Sequence, residues 1–233
     1  MSTLTELYAL VRTQTQTTQG ELPDATILPW LQQGCDRAIA AYTDWPFLEE
    51  QWTITQQVGE SSIAHPANAH LPGVVSLVDQ EGTRLRMINQ ETAEDAYQYS
   101  FGGTKPFEYS IWGKTISLWP RILFDELRTF TLRGFRLLPR FATFDPSTDL
   151  AADPMGLDAR LHPTLANYAI ALAYAQQEDE YLETTYMTRW QRDVELIARA
   201  IMEPARNRQV QMGPHYRSAQ PGYPFRIIPP GGS

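Results

Sequence analysis

Apolar positions recur every three or four residues towards both ends of the chain and every second residue in its middle. Leu4, Leu7, Tyr8, Leu10 and Val11 keep helical spacing, and the polar run Thr13 to Gln19 closes that segment at Gly20. Pro23-Asp24 predicts a turn. A second helix is predicted from about Ile27 to Tyr42, with Leu28, Leu31, Cys35, Ile39 and Tyr42 on one stripe. Asp24 or Thr26 can cap it, and Trp45-Pro46-Phe47 stops it. The period then changes to two. Trp52-Thr53-Ile54-Thr55, Val74 to Val78, Arg84 to Ile88 and Leu127 to Leu137 read as strands. Glu108 to Trp112 and Thr115 to Trp119 flank Gly113-Lys114 and read as a β-hairpin, because glycine supplies the positive φ that a tight link needs. Gln90 to Tyr99 reads as a short helix capped by Asn89.

Beyond a loop from Asp145 to Met155 the helical period returns. Leu161, Leu165, Tyr168, Leu172 and Ala175 form one stripe, and Leu182, Tyr186, Trp190, Val194, Ile197 and Ile201 form another. An antiparallel hairpin turning near Glu178 to Tyr181, with Asp179 as N-cap, is favoured over one continuous helix, although no Gly or Pro enforces the break. The predicted fold class is therefore α+β. N-terminal helices (1–50) pack with a helical hairpin (141–203) around one core, and a small antiparallel sheet or sandwich of five or six strands (51–140) is inserted between them.

Charge divides the chain. Residues 204–233 hold four arginines and no Asp or Glu, so of the net −8 the first 203 residues carry −12. The same C-terminal segment is rich in Pro and Gly, which predicts an extended arm without its own core. Two readings of it stand. It is a solvated terminus, or it is an arm that orders on a partner. The apolar groups it carries speak for the second. Arg206, Arg208, Tyr216, Arg217, Tyr223, Phe225, Arg226, Ile227 and Ile228 are then the candidate contact residues. The acidic balance excludes a protein that coats DNA with a basic face.

The search for chemistry returns no catalytic set, no metal site and no cofactor motif. One cysteine, Cys35, rules out an intrachain disulfide and lies within an apolar stripe, where a small core residue is the expected role. His65, His70, His162 and His215 show no ligand spacing, and His162 before Pro163 reads as structural. Gly102-Gly103-Thr104-Lys105 lacks the spacing of a phosphate loop, and Pro106 prevents the helix that should follow it. Glu178, Asp179, Glu180 and Glu183 read as a solvated helix turn rather than a cation site. Eleven Tyr and six Trp point to cores and subunit interfaces, with base or sugar stacking as the alternative. The start of the chain lacks a cationic, apolar leader, and no stretch approaches a membrane span, so synthesis in a cytoplasm is expected.

The order of motifs resembles that of the head-to-tail connector (adaptor) proteins of tailed bacteriophages. The shared elements are Trp45-Pro46-Phe47 after the N-terminal helices and the Leu71-Pro72-Gly73 turn into a Val-rich strand. Gly103-Thr104-Lys105-Pro106-Phe107-Glu108-Tyr109 follows, before a hairpin ending Leu118-Trp119-Pro120. Leu137-Leu138-Pro139, His162-Pro163 with an Ala/Tyr-rich helix, and the acidic turn leading to Tyr186 and Trp190 complete the series, over roughly residues 20 to 203. The sequence departs from the pattern at Pro120-Arg121-Ile122 and in a longer N-terminus, which leaves a stopper or tail-completion role open. The resemblance implies no catalysis and a homo-oligomeric ring, commonly of twelve copies, in the neck of the virion. Its partners would be the portal protein on one side and tail or stopper components on the other. DNA would pass through the lumen without specific binding, as an acidic wall repels passing phosphates. The basic arm would dock on the portal or on a neighbouring subunit. The competing class is a virion module that presents its β region to a carbohydrate or a tail fibre.

Overall fold

The computed structural model describes residues 2–42, 45–70, 73–97, 105–121 and 126–211, with side chains as far as residue 202. The fold is mixed α/β. Helices α1 (Leu4–Thr15) and α2 (Asp24–Ala41) precede β1 (Glu49–Gln56), β2 (Ser62–Ala64), β3 (Ser76–Asp79) and β4 (Arg84–Met87). Then come α3 (Gln90–Tyr97), β5 (Glu108–Trp112), β6 (Thr115–Trp119), β7 (Arg128–Phe135), α4 (Leu161–Gln176) and α5 (Glu180–Gln211).

Local chemistry accounts for the helix boundaries. Thr3 and Glu6 form a capping box at the start of α1: the Thr3 hydroxyl accepts from the Glu6 amide (3.2 Å) and the Glu6 carboxylate accepts from the Thr3 amide (3.0 Å). Gln16, in the left-handed region at φ 54°, ends α1. Arg12 then ties it to the start of α2 by donating to the Leu22 carbonyl (2.9 Å) and pairing with Asp24. The break between α4 and α5 needs neither Gly nor Pro. Glu178 takes the left-handed conformation at φ 59°, and Asp179 Oδ1 accepts from the Leu182 amide (3.0 Å), the N-cap expected of it.

Helices from both ends of the chain share one apolar cluster. Leu7, Val11, Ile27, Leu31 and Cys35 meet Leu165, Tyr168, Ala169, Trp190 and Val194 in it. Contacts between α4 and α5 run in opposite directions along the two helices: Asn167 with Asp193, Tyr168 with Trp190, Tyr174 with Tyr186. Gly34 lets α2 approach α4, since a Cβ there would lie 3.0 Å from the Tyr168 ring. Trp45 is fully buried, donates from Nε1 to the Ala38 carbonyl (3.3 Å) and packs at a tilt against Phe47 (5.3 Å between ring centres), anchoring the turn into β1.

The β region differs from expectation in two respects. It holds seven strands in the order β1-β7-β3-β4-β5-β6-β2, because β2, only three residues long, is too short for alternation to reveal. It is also not wholly antiparallel: β4 and β5 pair in parallel, Arg86 opposite Glu108 and Met87 opposite Tyr109. A parallel pair needs a crossover, and α3 is that crossover. The hairpin β5–β6 lies where the sequence placed it, with Trp112 opposite Thr115 and Gly113 at φ +58°. The terminal strands β1 and β2 approach one another, so the sheet nearly closes. Its inner face is a second, smaller cluster of Ile54, Ile63, Leu77, Leu85, Tyr109, Ile116, Leu118, Phe130 and Leu132.

Candidate partner-binding surfaces

The candidate contact residues divide between a helix and a segment that is not described. Helix α5 reaches Gln211, so Arg206 and Arg208 belong to a helical stretch and not to extended chain. Pro204 lies inside that helix. Read along the sequence, Pro204 marks the start of the arm, but the residues after it (Ala205, Arg206, Asn207, Arg208, Gln209) include good helix formers, and α5 continues through it to Gln211 with one backbone bond fewer. Tyr216, Arg217, Tyr223, Phe225, Arg226, Ile227 and Ile228 lie outside the described residues.

The base of the arm is thus a 32-residue helix, about 48 Å long at 1.5 Å per residue. Its inner stripe, Trp190, Val194, Ala198 and Met202, is buried in the helical core. Its outer side exposes Arg189, Arg192, Leu196 and Arg199. Arg192 pairs with Asp193 and Arg199 with Glu195, and Arg189 lies over the Tyr186 ring (5.1 Å), so these cations are partly occupied on their own helix.

The sheet presents a second surface. Trp112 stands at the tip of the β5–β6 hairpin and is 72% exposed. The other tryptophans placed by the structure are mostly interior: Trp45, Trp119 and Trp190 are buried, in keeping with aromatics serving cores. Sequence reasoning missed the polar cluster that holds α3 on the sheet. The Tyr97 hydroxyl donates to Glu108 (2.9 Å), whose carboxylate faces Arg86 (3.7 Å). Trp119 Nε1 donates to the Ser110 hydroxyl (2.8 Å), which bonds Gln90. The Tyr97 and Trp119 rings stack at 5.8 Å, and Arg121 lies over Trp119 (4.7 Å). Burial and the Glu108 hydrogen bond push the Tyr97 phenol up to about 12. Hydrogen-bond partners nine to twenty residues apart leave no periodic signal, which is why the cluster was not legible.

Cys35 and His162 serve the interior. Burial pushes the Cys35 thiol up to about 12, so it is no thiolate nucleophile at neutral pH. His162 is fully buried in the first turn of α4, hydrogen-bonded through Nε2 to the Leu157 carbonyl (3.2 Å), and desolvation lowers its pKa. Among the described residues no group of three or more His, Cys, Asp or Glu side chains is placed to hold a metal ion. No described helix is long and apolar enough to cross a membrane.

The described residues thus combine a helical core drawn from both ends of the chain with a nearly closed sheet formed by the segment between. The family model of the SU10 adaptor protein matches residues 2–217. The chain belongs to this family of phage head-to-tail adaptors, the class that its ordered motifs resemble. No curated protein matches the sequence.

Proposed function

We propose that this protein is a structural head-to-tail adaptor that forms a ring between the portal and the tail or stopper components of a tailed phage, and that it acts by contact and not by catalysis. The family match over residues 2–217 carries this reading. Two features support it. The first 203 residues hold a net charge of −12, suited to the wall of a conduit through which DNA must slide without adhering. The chain also continues past its helical core as a long helix followed by a segment whose charged groups are all arginines. In a ring each subunit offers two different faces to its neighbours, and an arm of this kind suits such heterologous contacts.

The arm is the part that docks. A chain lacking residues 212–233 keeps α5 and the whole helical core, so it remains folded by circular dichroism. It is expected to lose co-sedimentation with purified portal, which the full chain retains. Undiminished co-sedimentation of the shortened chain would refute the arm's role.

A further inference from the structure

The sheet nearly closes but leaves one long edge free. The Arg136 amide donates to the Leu48 carbonyl (2.8 Å), which extends the β1–β7 register of Glu49 opposite Phe135 by one pair. Hydrogen-bonded pairs alternate along an antiparallel ladder. Glu50, Trp52, Ile54 and Gln56 therefore bond β7, while Gln51, Thr53 and Thr55 turn their N–H and C=O groups, and Glu49 its C=O, to the open side. The Glu49 amide is taken by the Pro46 carbonyl, and among the described residues Gln51, Thr53 and Thr55 have no backbone hydrogen-bond partner on that side. The turn of residues 57–61 folds β2 back beside β1, but β2 has three residues and β1 has eight. The edge from Glu49 to Thr53 extends beyond its reach. The side chains of Glu49, Gln51 and Thr53 are all exposed, so the edge is accessible. Neither proline nor lysine guards it, the usual protections of a free edge.

We propose that this edge receives residues 223–228 of a neighbouring copy by strand addition. The proposal rests on the adaptor reading, since it needs copies side by side. Three observations select this occupant. The segment Tyr223-Pro224-Phe225-Arg226-Ile227-Ile228 is rich in β-forming residues, and its one residue without a donor alternates with Tyr223, Phe225 and Ile227, which keep theirs. Pairing through those three directs Pro224 away from β1, as an edge strand requires. Residues directly opposite in a ladder share a face, so Arg226 then lies on the side of Glu50 and Trp52, and the aromatic rings lie beside Thr53, a favourable cross-strand pairing. Charge agrees: the C-terminal 30 residues contain no acidic group, and β1 opens with Glu49-Glu50. Reach agrees as well: the eleven residues 212–222 span up to about 36–40 Å when extended.

Two full-length chains test this, one carrying Gln51→Cys and the other Phe225→Cys, mixed in the presence of purified portal and oxidised; buried Cys35 stays inert. A disulfide-linked dimer is expected from the mixture and not from either chain alone, and its yield should fall about fivefold when Thr53→Pro is added to the acceptor chain. That proline removes a donor on the open side and leaves the β1–β7 bonds in place, which circular dichroism verifies. A doubly substituted chain that instead closes on itself, seen as a faster-migrating monomer, overturns the proposal, as does absence of any linked species with Glu49→Cys, Gln51→Cys or Thr53→Cys. Portal co-sedimentation is read in parallel. Docking without cross-linking overturns the edge assignment and leaves the adaptor reading standing, whereas cross-linking without docking supports the edge and contradicts that reading.

Discussion

The helical half and the sheet half of this protein are stabilised in different ways. Among the described residues the helical cluster holds twenty-six buried side chains, drawn from before residue 49 and after residue 140, and the sheet cluster holds nine from the segment between. Burial of apolar surface scales with area removed from water, so the helical half carries most of the hydrophobic stabilisation. The sheet half compensates with cross-strand hydrogen bonds and with the polar cluster around Tyr97, Glu108, Ser110 and Trp119. Within one chain, the half assembled from distant segments holds the larger core, and the contiguous half holds the smaller one beside an edge left open at Gln51 and Thr53.

Core truncations should have the largest effects on the two halves. Trp45→Ala empties a fully buried site at the junction of the two halves and is expected to cost about 3–5 kcal/mol. Leu132→Ala in the sheet should cost about 2–5 kcal/mol. In chemical denaturation Trp45→Ala should lower the melting of helix and sheet together. In native-state hydrogen exchange Leu132→Ala should accelerate the β3 and β7 amides and leave those of α4 protected. Equal acceleration of α4 would show that the halves share a single stability.

A smaller effect belongs to the sheet. Tyr97→Phe keeps the ring stack on Trp119 and removes the hydrogen bond to Glu108, at a cost of about 1 kcal/mol. Faster exchange confined to α3 is the expected readout; unchanged α3 protection would mean the cluster does not hold that helix.

The smallest effect belongs to the helical half and depends on pH. His162 has its pKa lowered by burial, so the unfolded chain takes up a proton first as pH falls. The contribution of neutral His162 is complete above about pH 6.5, the unfolded value. It is lost as pH drops towards the lower folded value. Denaturation midpoints should fall between pH 7 and pH 5, less steeply in His162→Gln. A wild-type slope retained in full by that variant would assign the effect to other groups.

Much of this architecture was legible in the sequence, because it rests on periodicity and on local capping. The stripes of α1, α2, α4 and α5 and the hairpin around Gly113 follow from spacing alone. Asp179 announced a helix start that Glu178 makes possible by adopting a left-handed backbone. The β4–β5 pairing was not legible, since strand direction is decided by the crossover and not by the strands. The length of α5 past Pro204 escaped because proline and the shift in charge look like a boundary when read along the chain, whereas an anchored helix continues through them. Of the candidate contact residues, the sequence could mark chemical character but not the surface that meets it, and the free edge of β1 appears only once the register with β7 is known.

If this polypeptide joins larger assemblies by shape and contact, a cryo-electron microscopy map of the neck of virions that carry it should show a ring of its copies between portal and tail, with C-terminal segments crossing onto neighbouring subunits or the portal. A map without such a ring, or one in which each C-terminus folds back wholly on its own subunit, would contradict it.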